Sequence, residues 1–142
     1  MSKAAAKPKG KVVHISGKRK RAIARATIRE GKGVVRINSM LLDHVQPELV
    51  RAKIMEPLIL AGDEIMKNVN IHVNWRGGGI VSGAEAVRLV IAKGLVAFTG
   101  KKDLRQRFLE YDRHLLVADV RRNEPHKPGD SKPRANRQKS YR

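Results

Sequence analysis

A glycine-rich loop is the part of this sequence that comes closest to a cofactor site. The run Gly77-Gly78-Gly79-Ile80-Val81-Ser82 lies between a predicted strand and a predicted helix, and Ser82 occupies the place of the third glycine in the dinucleotide-binding fingerprint. A pyrophosphate would then bind at the helix start. However, no acidic residue ends a second strand about 20 residues later, as the fingerprint requires. The Lys-Ser/Thr pair of a P-loop is also absent.

Two other interpretations of this loop need no cofactor. Glycines allow a tight crossover in which a side chain would clash. Alternatively, the backbone N–H groups at the helix start bind one phosphate of an RNA chain. The incomplete fingerprint favours the crossover over the enzyme.

The remaining polar residues show no catalytic or metal-binding arrangement. The histidines lack the spacing of H-x-x-x-H or H-E-x-x-H, and the serines lie in no nucleophile-elbow pattern. The histidines are His14, His44, His72, His114 and His126. The absence of cysteine excludes disulfides and thiolate metal sites. We therefore predict no catalytic residue, no metal and no cofactor.

Charge gives a stronger signal than any motif. The 142 residues include 31 Lys or Arg and 13 Asp or Glu, for a net charge of +18. Residues 1–21 hold eight of the basic residues and no acidic one. Such charge attracts nucleic acid or an anionic membrane. A membrane is the weaker option, because the basic segments lack interleaved Trp, Phe or Leu and no apolar run approaches 18 residues. The N-terminus has no apolar region typical of a secretory signal.

The segment from 121 to 142 is the second basic end. It contains eight Lys or Arg, two acidic residues and almost no apolar side chain. Pro125, Pro128 and Pro133 oppose helix formation. Such a segment cannot offset the entropy of its own ordering, so it is expected to be disordered alone and to reach up to about 70 Å when stretched. A polyanion is the partner that it suits, although a solvated terminus without function is the alternative.

The basic residues 18–21 lead into a predicted strand. Ala22, Ala24 and Ala26 alternate with polar residues as in a strand, whereas Arg21, Arg25 and Arg29 also recur every fourth residue as in a helix. The turn at 30–33, followed by the strand-like segment VVRIN at 34–38, favours a β-hairpin. The arginines would then line one strand face, either as an ordinary solvated surface or as a contact to a nucleic-acid backbone.

The rest of the chain alternates between helical and strand patterns. Pro47 suits the first position of a helix, which Pro57 should kink or restart. Residues 68–75 alternate as a strand, with Val69, Ile71, Val73 and Trp75 on one face. Ser82 and Glu85 fit a capping box for a long helix that ends at Gly100, with Gly94 marking a close approach. Asp103 would cap the next helix, and residues 115–120 would form a last strand. The predicted order is β-β-α-β-α-α-β, an α+β domain with an open sheet face.

Four stretches resemble the universal family of small-subunit ribosomal protein nine in its archaeal and eukaryotic form. They are GKRKRAIARA at 17–26, GGG at 77–79 with GAEAVR at 83–88, DVRRNEPHK at 119–127, and KPRANRQKSYR at 132–142. The resemblance implies one small domain of the ribosomal-protein-five domain-two-like type. That fold has a mixed sheet, helices on one face and a left-handed βαβ crossover. The expected divisions are a basic leader at 1–11, the domain at 12–121 and an extended basic tail at 122–142.

The resemblance also implies partners. The family lies in the head of the small subunit, binds the three-prime domain of its ribosomal RNA and touches neighbouring head proteins. Its tail approaches the anticodon stem-loop of peptidyl-site tRNA. No enzyme activity, membrane contact or homo-oligomer is expected, and the location is cytoplasmic. The composition leaves a free nucleic-acid-packaging protein as the alternative.

The site residues follow from the charge pattern and the resemblance together. RNA contact is assigned to Lys18, Arg19, Lys20, Arg21, Arg25, Arg76, Gly77, Gly78, Gly79, Arg121, Arg122, Lys127, Lys132, Arg134 and Arg137. Contact with tRNA is assigned to Lys139, Ser140, Tyr141 and Arg142. Tyr141 stands where bacterial members have lysine, and its role is stacking or a hydrogen bond to phosphate.

Overall fold

The computed structural model describes residues 10–129 and 132–135. The strands are β1 (Val12–Arg19), β2 (Ala22–Glu30), β3 (Val35–Ile37), β4 (Met40–Leu41) and β5 (Val69–Arg76). The helices are α1 (Glu48–Ala61), α2 (Asp63–Met66), α3 (Ile80–Thr99) and α4 (Lys102–Tyr111), with 3-10 turns at Leu42–His44 and Arg113–Leu115. Within these described ranges, no helix combines the length and the apolarity that a bilayer crossing requires.

The five strands form one mixed sheet in the order β1-β2-β5-β3-β4. β5 pairs antiparallel with β2 and parallel with β3, while β1–β2 and β3–β4 are antiparallel pairs. The predicted α+β class and mixed sheet are therefore confirmed. β3 and β5 are parallel neighbours connected through α1, which makes this the βαβ crossover; its left-handedness stays a prediction.

Alternation along β2 decides between the two periods seen in its sequence. Ala22, Ala24 and Ala26 are at most 2% exposed, whereas Arg25 and Arg29 are exposed. The strand prediction is confirmed, with small residues towards the core and arginines on the opposite face. β5 alternates in the same way, so one face of the sheet is buried and the other is open.

The small residues let α3 approach the buried face closely. A Cβ atom on Gly83 would lie 1.7 Å from Cζ2 of Trp75, and one on Gly94 would lie 2.3 Å from Cδ1 of Ile28. On the sheet side, a Cβ atom on Gly17 would lie 2.7 Å from a methyl of Val90. The close approach predicted at Gly94 is confirmed. At these glycines, the backbone of one element therefore lies directly against side chains of the other, at several points along α3.

An arginine holds the other helices to α3. Arg88 is only 9% exposed, and its guanidinium forms ion pairs with Glu56 of α1 and, at 2.6 Å, with Asp112 after α4. Burial opposes ionisation of Asp112. Hydrogen bonds from the His114 backbone N–H and from Arg88 outweigh it and lower the pKa of Asp112 below its ordinary value. One buried cation thus connects three helical segments.

The predicted hairpin between the strand at 21–29 and the run at 34–38 is wrong. β5 lies between β2 and β3: it pairs with β2 along its whole length and with β3 at residues 71–73. The glycine turn crosses the end of β5, where the Gly31 and Gly33 N–H groups donate to the Asn68 and Val69 carbonyls at 3.0 and 3.1 Å. The hairpins of the sheet instead join β1 to β2 and β3 to β4.

The last strand predicted at 115–120 is also wrong. Leu115 ends a 3-10 turn and is fully buried, whereas Val117 and Val120 are 40% and 88% exposed. No strand pairs with this segment in the described part of the chain. This segment therefore contributes one fully buried side chain, that of Leu115, to the core and adds no strand to the sheet.

Helix ends differ from the predictions by a few residues. α3 begins at Ile80 with Gly79 as its N-cap, not Ser82, and Gly100 ends it in the left-handed conformation as predicted. Lys101, not Asp103, occupies the N-cap of α4. Pro47 is the N-cap of α1, and α1 continues past Pro57 without a restart.

Gly83→Ala should lower the free energy of unfolding by up to about 2 kcal/mol. The added methyl would overlap the Trp75 indole, and overpacking of this kind costs about 1–3 kcal/mol. The better helix propensity of Ala offsets about 1 kcal/mol of that cost. Urea unfolding of the purified protein measures the change.

The same substitution in a Trp75→Ala background is the control. With the ring removed, the methyl has room, so Gly83→Ala should become neutral or stabilising there. An equal loss of stability in both backgrounds would show that the contact with Trp75 is not the cause.

Candidate nucleic-acid interface

A cleft of about 500 Å³ opens at the end of the sheet where β1 turns into β2. Its walls are the β1–β2 turn, the glycine loop before α3 and the segment after Arg121. The lining residues are Lys18, Lys20, Arg21, Gly78, Gly79, Ser82, Arg122, Asn123, Glu124, Pro125 and His126. Three stretches that are far apart in the sequence, all assigned to RNA contact, therefore meet at one place.

The β1–β2 turn projects two cations into solvent. Arg19 pairs with Ala22 in the antiparallel ladder, so only Lys20 and Arg21 remain to reverse the chain. Lys20 adopts a left-handed conformation with φ of 53°. Both turn residues are exposed, and so is Lys18 on the strand before them. The hairpin thus presents a cluster of positive charge at the mouth of the cleft.

The glycine loop is a tight crossover in its geometry. Gly77 and Gly78 both have φ of 71°, and a Cβ atom on Gly78 would lie 2.8 Å from the backbone nitrogen of Ala22. The Ser82 hydroxyl accepts a hydrogen bond from the Gly79 N–H and donates one to the Gly79 carbonyl, both at 3.0 Å. The glycines are thus needed to fit β2 against the start of α3. The same close fit places the N-terminal end of α3 at the cleft, where its dipole favours an anion.

Arg19 differs from its basic neighbours because strand alternation turns it to the opposite face. Its guanidinium donates to Glu85 at 2.6 Å, and Nη1 lies 2.8 Å from an Asp119 oxygen in an ion pair. The Arg19 side chain is only 15% exposed. Glu85, which sequence analysis assigned to a helix cap, binds Arg19 and Lys53 instead. Arg19 therefore belongs to an ion-pair network inside the domain, unlike its exposed neighbours Lys18, Lys20 and Arg21, and its assignment to RNA contact stays a prediction.

Asp119 anchors the start of the tail to this network. It accepts hydrogen bonds from the Arg121 side chain, at 2.7 and 2.9 Å, and from the Arg121 backbone N–H at 2.8 Å. These bonds and the nearby guanidinium charges hold the pKa of Asp119 far below its ordinary range. Burial opposes ionisation of Glu85, but hydrogen bonds from Arg19 and Lys53 lower its pKa as well. Alternating charges thus connect α1, α3, β1 and the root of the tail.

The other predicted tail residues are only partly described. Lys127 and Lys132 are exposed, and Arg134 donates to Glu124 at 2.8 Å while remaining 86% exposed. Arg137 and the predicted tRNA contacts Lys139, Ser140, Tyr141 and Arg142 lie outside the described residues.

The two basic segments meet the body at opposite ends of α3. The Lys11 ammonium lies 5.4 Å from the ring centroid of Phe98, near the end of α3. The tail root instead faces Gly79 and Ser82 at its beginning. At 1.5 Å per residue, these ends are about 27 Å apart.

Arg25 and Arg76 do not reach the cleft lining. Both lie on the open face of the sheet, where β2 and β5 pair. The same face carries Arg36, which was not predicted to contact RNA, and Arg29, which was predicted only as part of an arginine row that is either solvated or in contact with a nucleic-acid backbone. Arg29 continued the row of Arg21 and Arg25, so that signal was available. Arg36 could be placed on the same face only once the pairing of β3 with β5 was known.

The carboxylates of Glu85 and Asp119 should make the melting temperature of the protein depend on pH. The double variant Glu85→Gln with Asp119→Asn should lack this contribution. Both carboxylates have a lowered folded-state pKa, so their contribution is complete above the unfolded values of about 4 and disappears as pH falls through the folded values. The parent protein should melt above the double variant by a few degrees at pH 6, and this gap should narrow towards pH 3.

Asp103→Asn with Glu110→Gln is the matched control, since it removes the same charge from the exposed surface of α4. Its melting temperature should stay close to that of the parent at pH 6. A gap between the parent and the network variant that does not change with pH would contradict the prediction, as would equal effects of the two double variants.

Comparison with known proteins gives a consistent result. The model of the family Ribosomal protein S9/S16 matches residues 17–142. The small ribosomal subunit protein uS9 of Methanococcus maripaludis strain S2 is 54% identical over 134 residues, 93% of this chain and 99% of the relative. The protein of the same name from strain C5 is 53% identical over the same shares. The matched region includes the β1–β2 turn, the glycine loop and the tail, so the resemblance noted in the sequence is confirmed. The cofactor interpretation of the glycine loop is set aside, because the chain belongs to the ribosomal protein S9/S16 family, whose members are structural proteins of the ribosome and not enzymes.

Proposed function

We propose that this chain is a structural protein of the small-subunit head that binds the three-prime domain of ribosomal RNA through the cleft, and that its tail contacts the anticodon stem-loop of peptidyl-site tRNA. The observation that carries the RNA contact is the convergence of Lys20, Arg21 and Arg122 at the start of α3. The relatives are small-subunit proteins by name, which supports the same subunit for this chain.

The charges around the cleft suit a phosphate backbone. Lys18, Lys20 and Arg21 extend from the hairpin, and Arg122 faces them from the root of the tail. Glu124 is the one carboxylate among the lining residues, and Arg134 pairs with it. Phosphate contacts fix the position of a protein on nucleic acid without reading bases. The cleft therefore holds an RNA strand between the body and the tail.

The tail proposal rests on sequence and on the position of its root. Lys139, Ser140, Tyr141 and Arg142 fall within the stretch that matches the family model. Arginine can donate two parallel N–H groups to phosphate oxygens, which suits a contact made with every tRNA. Asp119 and Arg19 hold the root of the tail against the body, beside the cleft. RNA bound in the cleft would then set the direction in which the rest of the tail leaves the body.

Lys20→Gln with Arg21→Gln should weaken binding to RNA of the three-prime domain. Each lost phosphate contact should reduce the slope of log affinity against log salt by about 0.7 to 0.9. Lys101→Gln with Lys102→Gln, at the other end of α3, removes the same charge and should change the slope less. Salt-dependent filter binding measures both variants.

The same titration with duplex DNA as competitor separates a ribosomal protein from a free packaging protein. A packaging protein would bind structured RNA and duplex DNA with similar affinity and salt dependence. Equal competition by DNA, or equal losses in the cleft variant and its control, would count against the proposed RNA site.

Deletion of 139–142 should leave subunit assembly intact and increase the rate at which tRNA dissociates from the peptidyl site. Lys139→Gln with Arg142→Gln keeps the length of the tail and should reproduce most of the effect, because charge and not bulk makes the contact. Dissociation from purified subunits is measured with labelled tRNA, and dissociation from the aminoacyl site is the internal control. Unchanged peptidyl-site rates in both variants would exclude the tail contact.

A further inference from the structure

The open face of the sheet carries a second group of cations, separate from the cleft. Arg25 and Arg29 lie on β2, Arg76 on β5 and Arg36 on β3, and all four are exposed. Arg25 and Arg36 line one shallow hollow of about 310 Å³ together with Thr27, His72 and Asn74. Arg25 and Arg76 line a second hollow of about 270 Å³.

Strand pairing fixes the spacing of these cations. Arg25 lies opposite Asn74, and Arg36 lies beside His72 on the other edge of β5. β2 and β3 are therefore two strand intervals apart, or about 10 Å. Arg25 and Arg29 are separated by about 14 Å along β2. The group thus forms a rigid grid across three strands, unlike cations on a loop.

The carboxylates of the protein are placed where they do not neutralise this grid. The strands turn no Asp or Glu towards the open face. Glu56, Glu85, Asp112, Asp119 and Glu124 pair with cations of the helices, the Arg19 network and the tail. Within residues 10–129 and 132–135, none of the four open-face arginines lies within ion-pair distance of a carboxylate. Unneutralised charge destabilises the free protein, and a polyanion relieves that cost.

The chemistry of the face selects among polyanionic partners. Its one neighbouring indole, Trp75, points to the buried side, and the strands turn no Phe, Tyr or Trp outwards here, so the exposed groups of the face are mainly cationic and polar. Thr27, His72 and Asn74 supply hydrogen-bonding groups between the arginines. A protein partner would need a continuous group of apolar or aromatic anchors at the centre of its interface. The exposed apolar side chains of this face instead lie on three different strands, each paired with one of the arginines: Val12 with Arg29, Ile23 with Arg76 and Leu41 with Arg36.

We propose that the open sheet face is a second RNA-binding surface, which binds the sugar-phosphate backbone of the ribosomal RNA through its arginines. The inference deepens the proposed function, since it adds a surface to the RNA contact made at the cleft. The cleft and the face are then engaged together, with the β1–β2 hairpin between them. RNA contacts hold the domain both at the cleft and at the open face, while the tail extends from the end that carries the cleft.

Arg25→Gln with Arg36→Gln tests the surface in the full-length protein. Affinity for three-prime-domain RNA should fall roughly tenfold at moderate salt, and the salt slope should fall by about 0.7 to 0.9 per arginine. The melting temperature of the free protein should be unchanged or higher, because repulsion within the face is reduced. Arg29→Gln with Arg76→Gln repeats the test on the same face, should the first pair lower the melting temperature.

Arg105→Gln with Arg107→Gln is the matched control, because it removes two exposed arginines from α4. The control should lose less affinity than the face variants. Equal losses of affinity in the face variants and the control would overturn the inference. The proposed function would then still be tested separately, by the variant Lys20→Gln with Arg21→Gln in the cleft. If those cleft residues are also without effect, the proposed function fails as well.

Photo-crosslinking from position 72, at the centre of the face, identifies the occupant in the assembled subunit. A crosslinkable residue in place of His72 should attach to ribosomal RNA in purified small subunits. Attachment to a ribosomal protein alone, or to nothing, would overturn the assignment to RNA.

Discussion

The close approach of α3 to the sheet is the constraint on which the rest of the molecule depends. Gly83 and Gly94 have no side chain where the helix meets Trp75 and Ile28. The small alanine side chains of β2 leave further room for the helix against the sheet. A long helix can then cover β1, β2 and β5 at once. Because α1 and α4 pack on α3, all the helices gather on one side. The other side of the sheet is left uncovered, and it is rich in cations.

The same packing determines what each basic residue does. Arg19 and Lys20 are adjacent, but strand alternation sends Arg19 to the helical side, where Glu85 and Asp119 bind it. Lys20 falls in the turn and faces the cleft. The acidic residues thus organise the interior of a very positive protein, and they leave the cleft and the open face positive. Charge that would only destabilise a free protein is concentrated where RNA can neutralise it.

The glycine loop illustrates how one feature serves folding and binding together. Gly78 must lack a side chain because Ala22 lies against it, which is a requirement of packing. The resulting crossover sets the start of α3 beside the hairpin and the root of the tail. A pattern that resembles a cofactor motif is therefore explained by the close fit of two elements. Its position next to the basic hairpin and Arg122 is a separate property, which suits the proposed contact with RNA.

Much of this protein could be inferred from local signals in its sequence. Alternation in 22–28 and 69–75 predicted two of the three long strands, β2 and β5, and Gly100 marked a helix end, because each of these depends on neighbouring residues. A glycine inside a helical pattern, Gly94, also predicted a close approach by another element. The charge pattern and the four matching stretches identified the family. The hairpin at 30–33 and the strand at 115–120 were predicted wrongly, since pairing depends on which strands are adjacent, and β5 begins 39 residues after the end of β2. Tertiary structure alone separated Arg19 from the exposed cations around the cleft and placed Arg36 on the same face as Arg25. Both outcomes depend on long-range packing, which the order of residues in one segment does not encode.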